Sequence, residues 1–202
     1  MKVILMHTGP LSVNTYLVCN EAAREMLVID PGGNAEEILR RAEAENCRIA
    51  AVLLTHAHFD HAGACKELQD AGIPVYVHRE EEINLHSAGN MGRLFGCPMP
   101  ELRVDSVFAD GDVLSIAHLA VTVLHTPGHT AGSCCFQIGD RLFSGDTLFF
   151  GSAGRTDLIG GDARALAASL RRLCALPGDC VVCPGHGEET TLQYERENNP
   201  FC

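Results

Sequence analysis

The chain has 202 residues, 46% of them apolar, and a formal net charge of -11. That length suits one substantial core rather than two ordinary domains, so residues 1–202 are expected to form a single domain. The acidic balance repels phosphate backbones and no apolar run approaches membrane-spanning length, which argues against nucleic acid or a membrane as partner. The two basic pairs, Arg40-Arg41 and Arg171-Arg172, fall in helix-like segments and read as solvated faces. No signal-peptide core follows the first residues, so a cytoplasmic location is expected, and the ten Cys are not expected to form a disulfide framework. Cys180-x-x-Cys183 has metal or redox spacing but sits in the apolar run Cys180-Val181-Val182-Cys183, which reads as buried packing.

In chain order, residues 2–7 and 15–19 read as strands joined by a Thr8-Gly9-Pro10 turn. Residues 26–29 form a third, closed by Asp30-Pro31-Gly32-Gly33. Asn34 has the chemistry of a helix N-cap, and residues 35–46 place Ile38, Leu39 and Ala42 on one helical face. Residues 49–54 are an unbroken apolar run of strand length, hence covered on both faces. A helix is expected from about residue 62 to 70, a strand over 74–77 and a short helix over 79–86. Residues 87–100, rich in Gly, Met and Pro without periodicity, read as a long loop facing the active site. Short strands follow at 113–116, 121–124, 133–137 and 141–143, with Gly139-Asp140 as a hairpin turn. Residues 162–173 read as a helix capped by Asp162, residues 180–183 as the last strand, and a polar tail closes the chain. Two sheets packed face to face with helices on the outer faces would bury these segments. A doubly wound parallel sheet fits the first half nearly as well.

His56-x-His58-x-Asp60-His61 comes directly after the apolar run 49–54. His56 and His58 project to one side of an extended segment, so both imidazoles can reach one ion. Asp60 and His61 open the next helix and point to a neighbouring location. Imidazole and carboxylate suit Zn, Mn or Fe. Three further residues stand at strand ends in tight Gly turns: His129 in Thr126-Pro127-Gly128-His129, Asp146 in Ser144-Gly145-Asp146, and His186 in Pro184-Gly185-His186-Gly187. Singly, each also reads as a turn Asp or a loop His. Together with the first cluster they make seven ligands, enough for two ions with one shared carboxylate. In a layered αβ fold, strand ends gather at one edge, where ligands bind. His7, His78, His86, His118 and His125 lack that setting.

This pattern resembles the metallo-β-lactamase superfamily. Gly145-Asp146-Thr147-Leu148-Phe149, Gly154-Arg155-Thr156-Asp157 and Asn199-Pro200-Phe201 resemble the small bacterial members of its glyoxalase II-like branch. The resemblance runs from Asn14-Thr15-Tyr16 and Ile29-Asp30-Pro31-Gly32 to the C-terminus. It implies an α/β fold, a four-layer αββα sandwich. It also implies that His56, His58 and His129 hold a first metal, that Asp60, His61 and His186 hold a second, and that Asp146 bridges them. The cofactors implied are two divalent ions, Zn first, with Fe or Mn as the other options. The activity implied is metal-dependent hydrolysis of a small-molecule thioester such as S-lactoylglutathione, by a hydroxide shared between the ions. Asp60 is the side chain placed to take the water's proton. Asp30 and Thr55 are placed to orient ligands, although an Asp-Pro-Gly turn is also a common structural device. Arg155 suits a substrate carboxylate, or an internal pair with Asp157 or Asp146.

The glyoxalase II enzymes in the strict sense carry a C-terminal helical domain that grips glutathione; this chain ends soon after His186, so the substrate is expected to extend to other thioesters or esters. Persulfide dioxygenases, with one iron held by two His and one Asp, resemble the same branch. A non-catalytic metal-binding protein on this fold is the remaining rival. Zinc-dependent lactamases often have Cys where Asp146 stands, which argues against a lactamase. The sequence carries no signal of oligomeric state.

Overall fold

Two six-stranded sheets pack face to face in the computed structural model, which describes residues 1–202. The first sheet runs in sequence order: β1 (Lys2–Thr8), β2 (Val13–Asn20), β3 (Glu25–Ile29), β4 (Arg48–Leu53), β5 (Val75–His78) and β6 (Ser106–Phe108). Its first three strands are antiparallel, and the pairings from β3 to β6 are parallel. Parallel neighbours need crossovers. These carry α1 (Ala35–Ala44), then α2 (Phe59–Ala62) and α3 (Cys65–Asp70), then α4 (Glu82–Leu85). The second sheet holds β7 (Val113–Ile116), β8 (Leu119–His125), β9 (Cys134–Ile138) and β10 (Arg141–Gly145). A small hairpin, β11 (Leu148–Phe149) with β12 (Ser152–Ala153), and α5 (Ala163–Cys174) then lead to β13 (Val181–Pro184), which pairs parallel with β10. β14 (Thr190–Thr191) and α6 (Leu192–Asn198) close the chain.

The layers follow from period-two alternation in strands buried on both faces. Tyr16, Val18, Leu27, Ile29, Ala51 and Leu53 face inward and meet Val121, Val123, Phe136 and Phe143 of the second sheet. Their neighbours Leu17, Met26, Val28 and Val52 face outward and are covered by Ile38 and Ala42 of α1 and Leu68 of α3. On the other side Leu124, Leu142 and Val182 pack under Leu166, Leu170 and Leu173 of α5. The result is the four-layer αββα sandwich.

Several local expectations change. The helix expected over 62–70 starts earlier and is broken into α2 and α3. The break lies where the 30–33 turn presses on it: the Ala64 amide donates to Pro31 O at 2.9 Å, and a Cβ on Gly63 would lie 2.3 Å from Gly32 O. Asn34 holds the N-cap position but in a left-handed conformation (φ 60°) with no side-chain cap; its Oδ1 accepts from the Gly9 amide instead. Asp162 does cap α5, accepting from the Arg164 and Ala165 amides. The polar tail is structured. Thr191 caps α6, Leu192 is buried, and the fully buried Glu195 accepts from Thr190 Oγ1, the Gly151 amide and Asn199 Nδ2. The tail also folds back onto the end of α5, where Cys202 and Cys174 form a disulfide that the scattered cysteines did not predict. Cys183 is buried between the sheets and Cys180 packs against the outer cluster. No helix is long and apolar enough to cross a membrane.

His78, buried at the end of β5, stacks on His125 at the end of β8, with ring centroids 4.2 Å apart. Burial, then the like charges of His125 and Arg79, push His78 down to about 4, against the pull of Asp110 and Asp112. An unfolded His takes its proton near pH 6.5, so on acidification the unfolded state binds that proton first. Stability contributed by neutral His78 is therefore complete above about pH 6.5 and lost between there and about pH 4. Urea melts of chelator-treated protein at pH 7.5 and 4.5 are expected to show about 2 kcal/mol less of this loss in His78→Gln than in the parent. Equal losses in the two would refute it.

Candidate metal centre

Four loops meet over one edge of the sandwich: residues 55–61 after β4, 126–130 after β8, 145–147 at the end of β10, and 184–187 after β13. Backbone bonds lock them together. Cys134 N donates to Thr55 O at 2.9 Å, Gly185 N to Gly145 O at 2.9 Å, and Asn14 N to Gly185 O at 2.8 Å. Asn14 Nδ2 reaches Pro184 O and Gly187 O, and Tyr16 Oη donates to Pro184 O, so β2 braces the turn that carries His186.

The seven predicted side chains converge. His56 Nε2 lies 3.1 Å from His58 Nδ1, which lies 3.0 Å from His129 Nε2. Next to this triad, Asp60 Oδ2 is 3.2 Å from His186 Nε2 and 3.6 Å from His61 Nε2. The Asp146 carboxylate stands between the groups, with Oδ1 3.4 Å from His61 Nε2 and Oδ2 3.5 Å from His129 Nε2 and 3.9 Å from His186 Nε2. Both triads have donor atoms close enough for one cation each. Donors about 2.1 Å from a tetrahedral ion stand about 3.4 Å apart, close to these separations.

The far nitrogens explain why the near ones are free. His129 Nδ1 donates to Arg155 O at 2.8 Å, and His61 Nδ1 to Asp30 Oδ2 at 2.9 Å. Thr55 Oγ1 donates to Asp30 Oδ2 at 2.6 Å, leaving a lone pair for His56 Nδ1 at 3.1 Å. Each contact puts the ring proton on Nδ1 and leaves the Nε2 lone pair facing inward. Asp30, His56 and His61 also lie close enough to form a cation group, but both Asp30 oxygens are already occupied, Oδ1 by the Thr55 amide at 2.7 Å. Asp30 is therefore committed to Thr55 and His61.

The charges point the same way. Burial and the neighbouring imidazoles hold His56 far below its usual value, and burial with His129 and His61 pushes His58 down to about 3. Burial would also discharge His61, but Asp146, Asp60 and Asp30 outweigh it and hold its proton. Burial works against ionised Asp60 and Asp146; His61 and His186 outweigh it at Asp60 and lower its pKa, and His61, His129 and His186 keep Asp146 well below the carboxylate range. The centre thus holds ionised carboxylates and wants positive charge, which a divalent ion supplies in place of the proton. His61 Nε2 and Asp146 Oδ1 are buried without a hydrogen-bond partner, a cost that a cation between them removes. The donor set fits two divalent ions.

Arg155 makes one of the internal pairs expected of it. Its guanidinium is paired with both oxygens of Asp157 at 2.7 and 2.8 Å, and its contribution to the centre is the backbone carbonyl on His129. One contributor went unread. Glu81, fully buried, accepts from the Ala57 amide at 2.9 Å and the Gly132 amide at 2.8 Å, tying the loop of His56 and His58 to that of His129. In the run Glu80-Glu81-Glu82 it looks like a solvated residue, and no local signal marks it.

A cavity of about 430 Å³ opens over the centre, with His58, Asp60, His129, Asp146 and His186 in its lining. A larger one of about 500 Å³, between His86 and Glu101, contains none of the seven.

A family model described as the metallo-beta-lactamase superfamily matches residues 8–186. Hydroxyacylglutathione hydrolase GloC of Haemophilus influenzae is 36% identical over 212 residues, covering 100% of this chain and 98% of that protein. Among solved structures, BLEG-1, described as a B3 metallo-beta-lactamase, superposes with a TM-score of 0.92 at 38% identity, covering 99% of both chains. TTHA1623, solved in a di-iron-bound form, superposes with a TM-score of 0.87 at 42% identity, covering 98% of this chain and 100% of that one.

Proposed function

The chain belongs to the metallo-beta-lactamase superfamily, and from that premise we propose that this metallo-hydrolase cleaves small-molecule thioesters, in the manner of a hydroxyacylglutathione hydrolase. The observation that carries the two-ion reading is Asp146, whose carboxylate lies within 3.9 Å of nitrogens in both triads. In this reading His56, His58 and His129 hold one ion, Asp60, His61 and His186 the other, and Asp146 bridges. Zn is the proposed metal, with Fe and Mn as alternatives; the di-iron form of TTHA1623 makes iron the stronger of the two. Eight unpaired cysteines against one bonded pair support a cytoplasmic setting.

Two divalent ions supply Lewis-acid polarisation of the acyl carbonyl and an acidified water as nucleophile. The protein does the rest. The Asp30–Thr55 pair holds His56 and His61, and Arg155 O holds His129, in the ligating tautomer. Asp60 lines the cavity and, in this reading, takes the proton of the attacking water. The thiolate leaves as a stable anion, so no general acid is required at that step.

Turnover of S-lactoylglutathione and of a generic thioester by the metal-loaded parent is the expected result, with a loss of about 10³-fold in His58→Ala. Equal rates in both proteins would sink the catalytic assignment. The likeness to BLEG-1 favours a second reading, β-lactam hydrolysis. Faster cleavage of a chromogenic cephalosporin than of any thioester would establish it. One iron per chain with oxygen uptake on glutathione persulfide would instead mark a dioxygenase.

A further inference from the structure

The wall of the cavity is unlike its floor. Beyond the metal-centre side chains, and Ser152, Ala153 and Arg155 at one side, it is lined by Leu11, Phe59, Met91, Phe95, Phe149 and Leu158. Phe59 lies between His58 and Asp60 in sequence, at the start of α2, and its ring stacks on Phe95 with centroids 5.4 Å apart and planes 23° from parallel. Phe95 and Leu11 are each 49% exposed, an unusual cost for large apolar groups beside a polar centre. The loop holds Phe95 in place: its amide donates to Met91 O at 3.2 Å, and Asn90 Nδ2 ties the loop to Leu85 O at 2.9 Å.

The wall offers an anion a single cationic side chain. Its cationic side chain, Arg155, is engaged on both oxygens of Asp157. The carboxylates in the lining, Asp60 and Asp146, repel negative charge wherever the ions do not neutralise them. A glutathione moiety carries two carboxylates and would have to displace Asp157 from Arg155 to pair even one of them in this cavity, whereas an alkyl chain finds apolar surface without breaking an ion pair.

We propose that the cavity selects thioesters bearing an apolar chain next to the scissile bond, with Phe95, stacked on Phe59, as the specificity-determining residue. This rests on the thioester reading above and names the substrate class within it. Burying each methylene against the wall is worth about a fourfold gain.

The test uses the metal-loaded, full-length protein and two neutral probe series: N-acetylcysteamine thioesters from acetyl to hexanoyl, and acetyl thioesters of ethanethiol to hexanethiol. In one series or the other kcat/KM rises about fourfold per methylene, the responding series telling which side of the bond the wall accommodates. The best substrate of that series then exceeds S-lactoylglutathione. In Phe95→Ser the loss grows with chain length, to about tenfold or more at six carbons, and Leu158→Ser shows the same trend. Phe95 is half-exposed, so its truncation spares the core, and an unchanged melting temperature verifies this. Flat profiles in both series, or a Phe95→Ser loss independent of chain length, would overturn the proposal. Calorimetry with S-alkyl-N-acetylcysteamine thioethers separates it from the hydrolase reading. Affinity rising with chain length without any thioester turnover would sink that reading and leave the apolar subsite standing; turnover without chain-length dependence would do the reverse.

Discussion

Asp146→Ala is expected to lower thioester hydrolysis by about 10³-fold or more, equivalent to about 4 kcal/mol of transition-state stabilisation, and to leave at most one metal ion per chain. The Asp146 carboxylate reaches a nitrogen of each triad, with one oxygen 3.4 Å from His61 Nε2 and the other 3.5 Å from His129 Nε2. Removing it takes a negative charge from a buried centre that holds three imidazoles within 3.9 Å of that carboxylate. Two cations placed side by side then lose the anion that offsets their repulsion. Asp146→Asn keeps the volume but not the charge, and should fall between variant and parent in metal content. Metal analysis by mass spectrometry, with turnover on the same sample, checks both. Two ions retained together with activity within tenfold of the parent would refute the bridging role.

Asp30→Asn should weaken binding of the second ion by about 10–100-fold and cost about 2 kcal/mol of stability, although it changes one atom. Both Asp30 oxygens face donors only: the Thr55 amide on Oδ1, and Thr55 Oγ1 with His61 Nδ1 on Oδ2. An amide must turn its NH₂ towards one set. Facing the Thr55 amide, it leaves a buried N–H unpaired. Facing His61, it makes Nδ1 the acceptor and moves the ring proton to Nε2, where the ligating lone pair was. The backbone does not confuse the result, because Asp30 has φ 52° and Asn tolerates that left-handed region equally well. Chelator competition and urea melts measure the two effects. Parent-like metal affinity would show that Asp30 braces the turn without orienting His61.

The proposed metal ligands were legible because their signals are local. His56 to His61 lie within one short loop, and His129, Asp146 and His186 each stand beside a turn glycine at a strand end. Glu81 was not legible. Its two amide partners belong to Ala57 and Gly132, distant in sequence, and only packing puts a Glu side chain between them. The tail was misread for a similar reason: α6 rests on one buried Leu and on the hydrogen bonds of a buried Glu195, where a helix is usually announced by an apolar stripe. Arg155 was read by its side chain, but its backbone carbonyl is what reaches His129.

The amino-acid sequence by itself determined the strand pattern, the helix faces and the chemical types at the centre, because side-chain alternation and turn chemistry act over a few residues. Tertiary structure alone decided which sheets face each other, which imidazole nitrogen points inward and why the turns must be glycine. A Cβ on Gly185 would stand 2.4 Å from Asp146 Oδ1 and 2.7 Å from His61 Cε1, and one on Gly145, at φ 48°, would strike Thr55 Oγ1 at 2.3 Å. Those distances join residues up to 124 positions apart, and no local rule carries them. The opposed demands of a crowded, charged centre are met only when the two halves of the chain close over it.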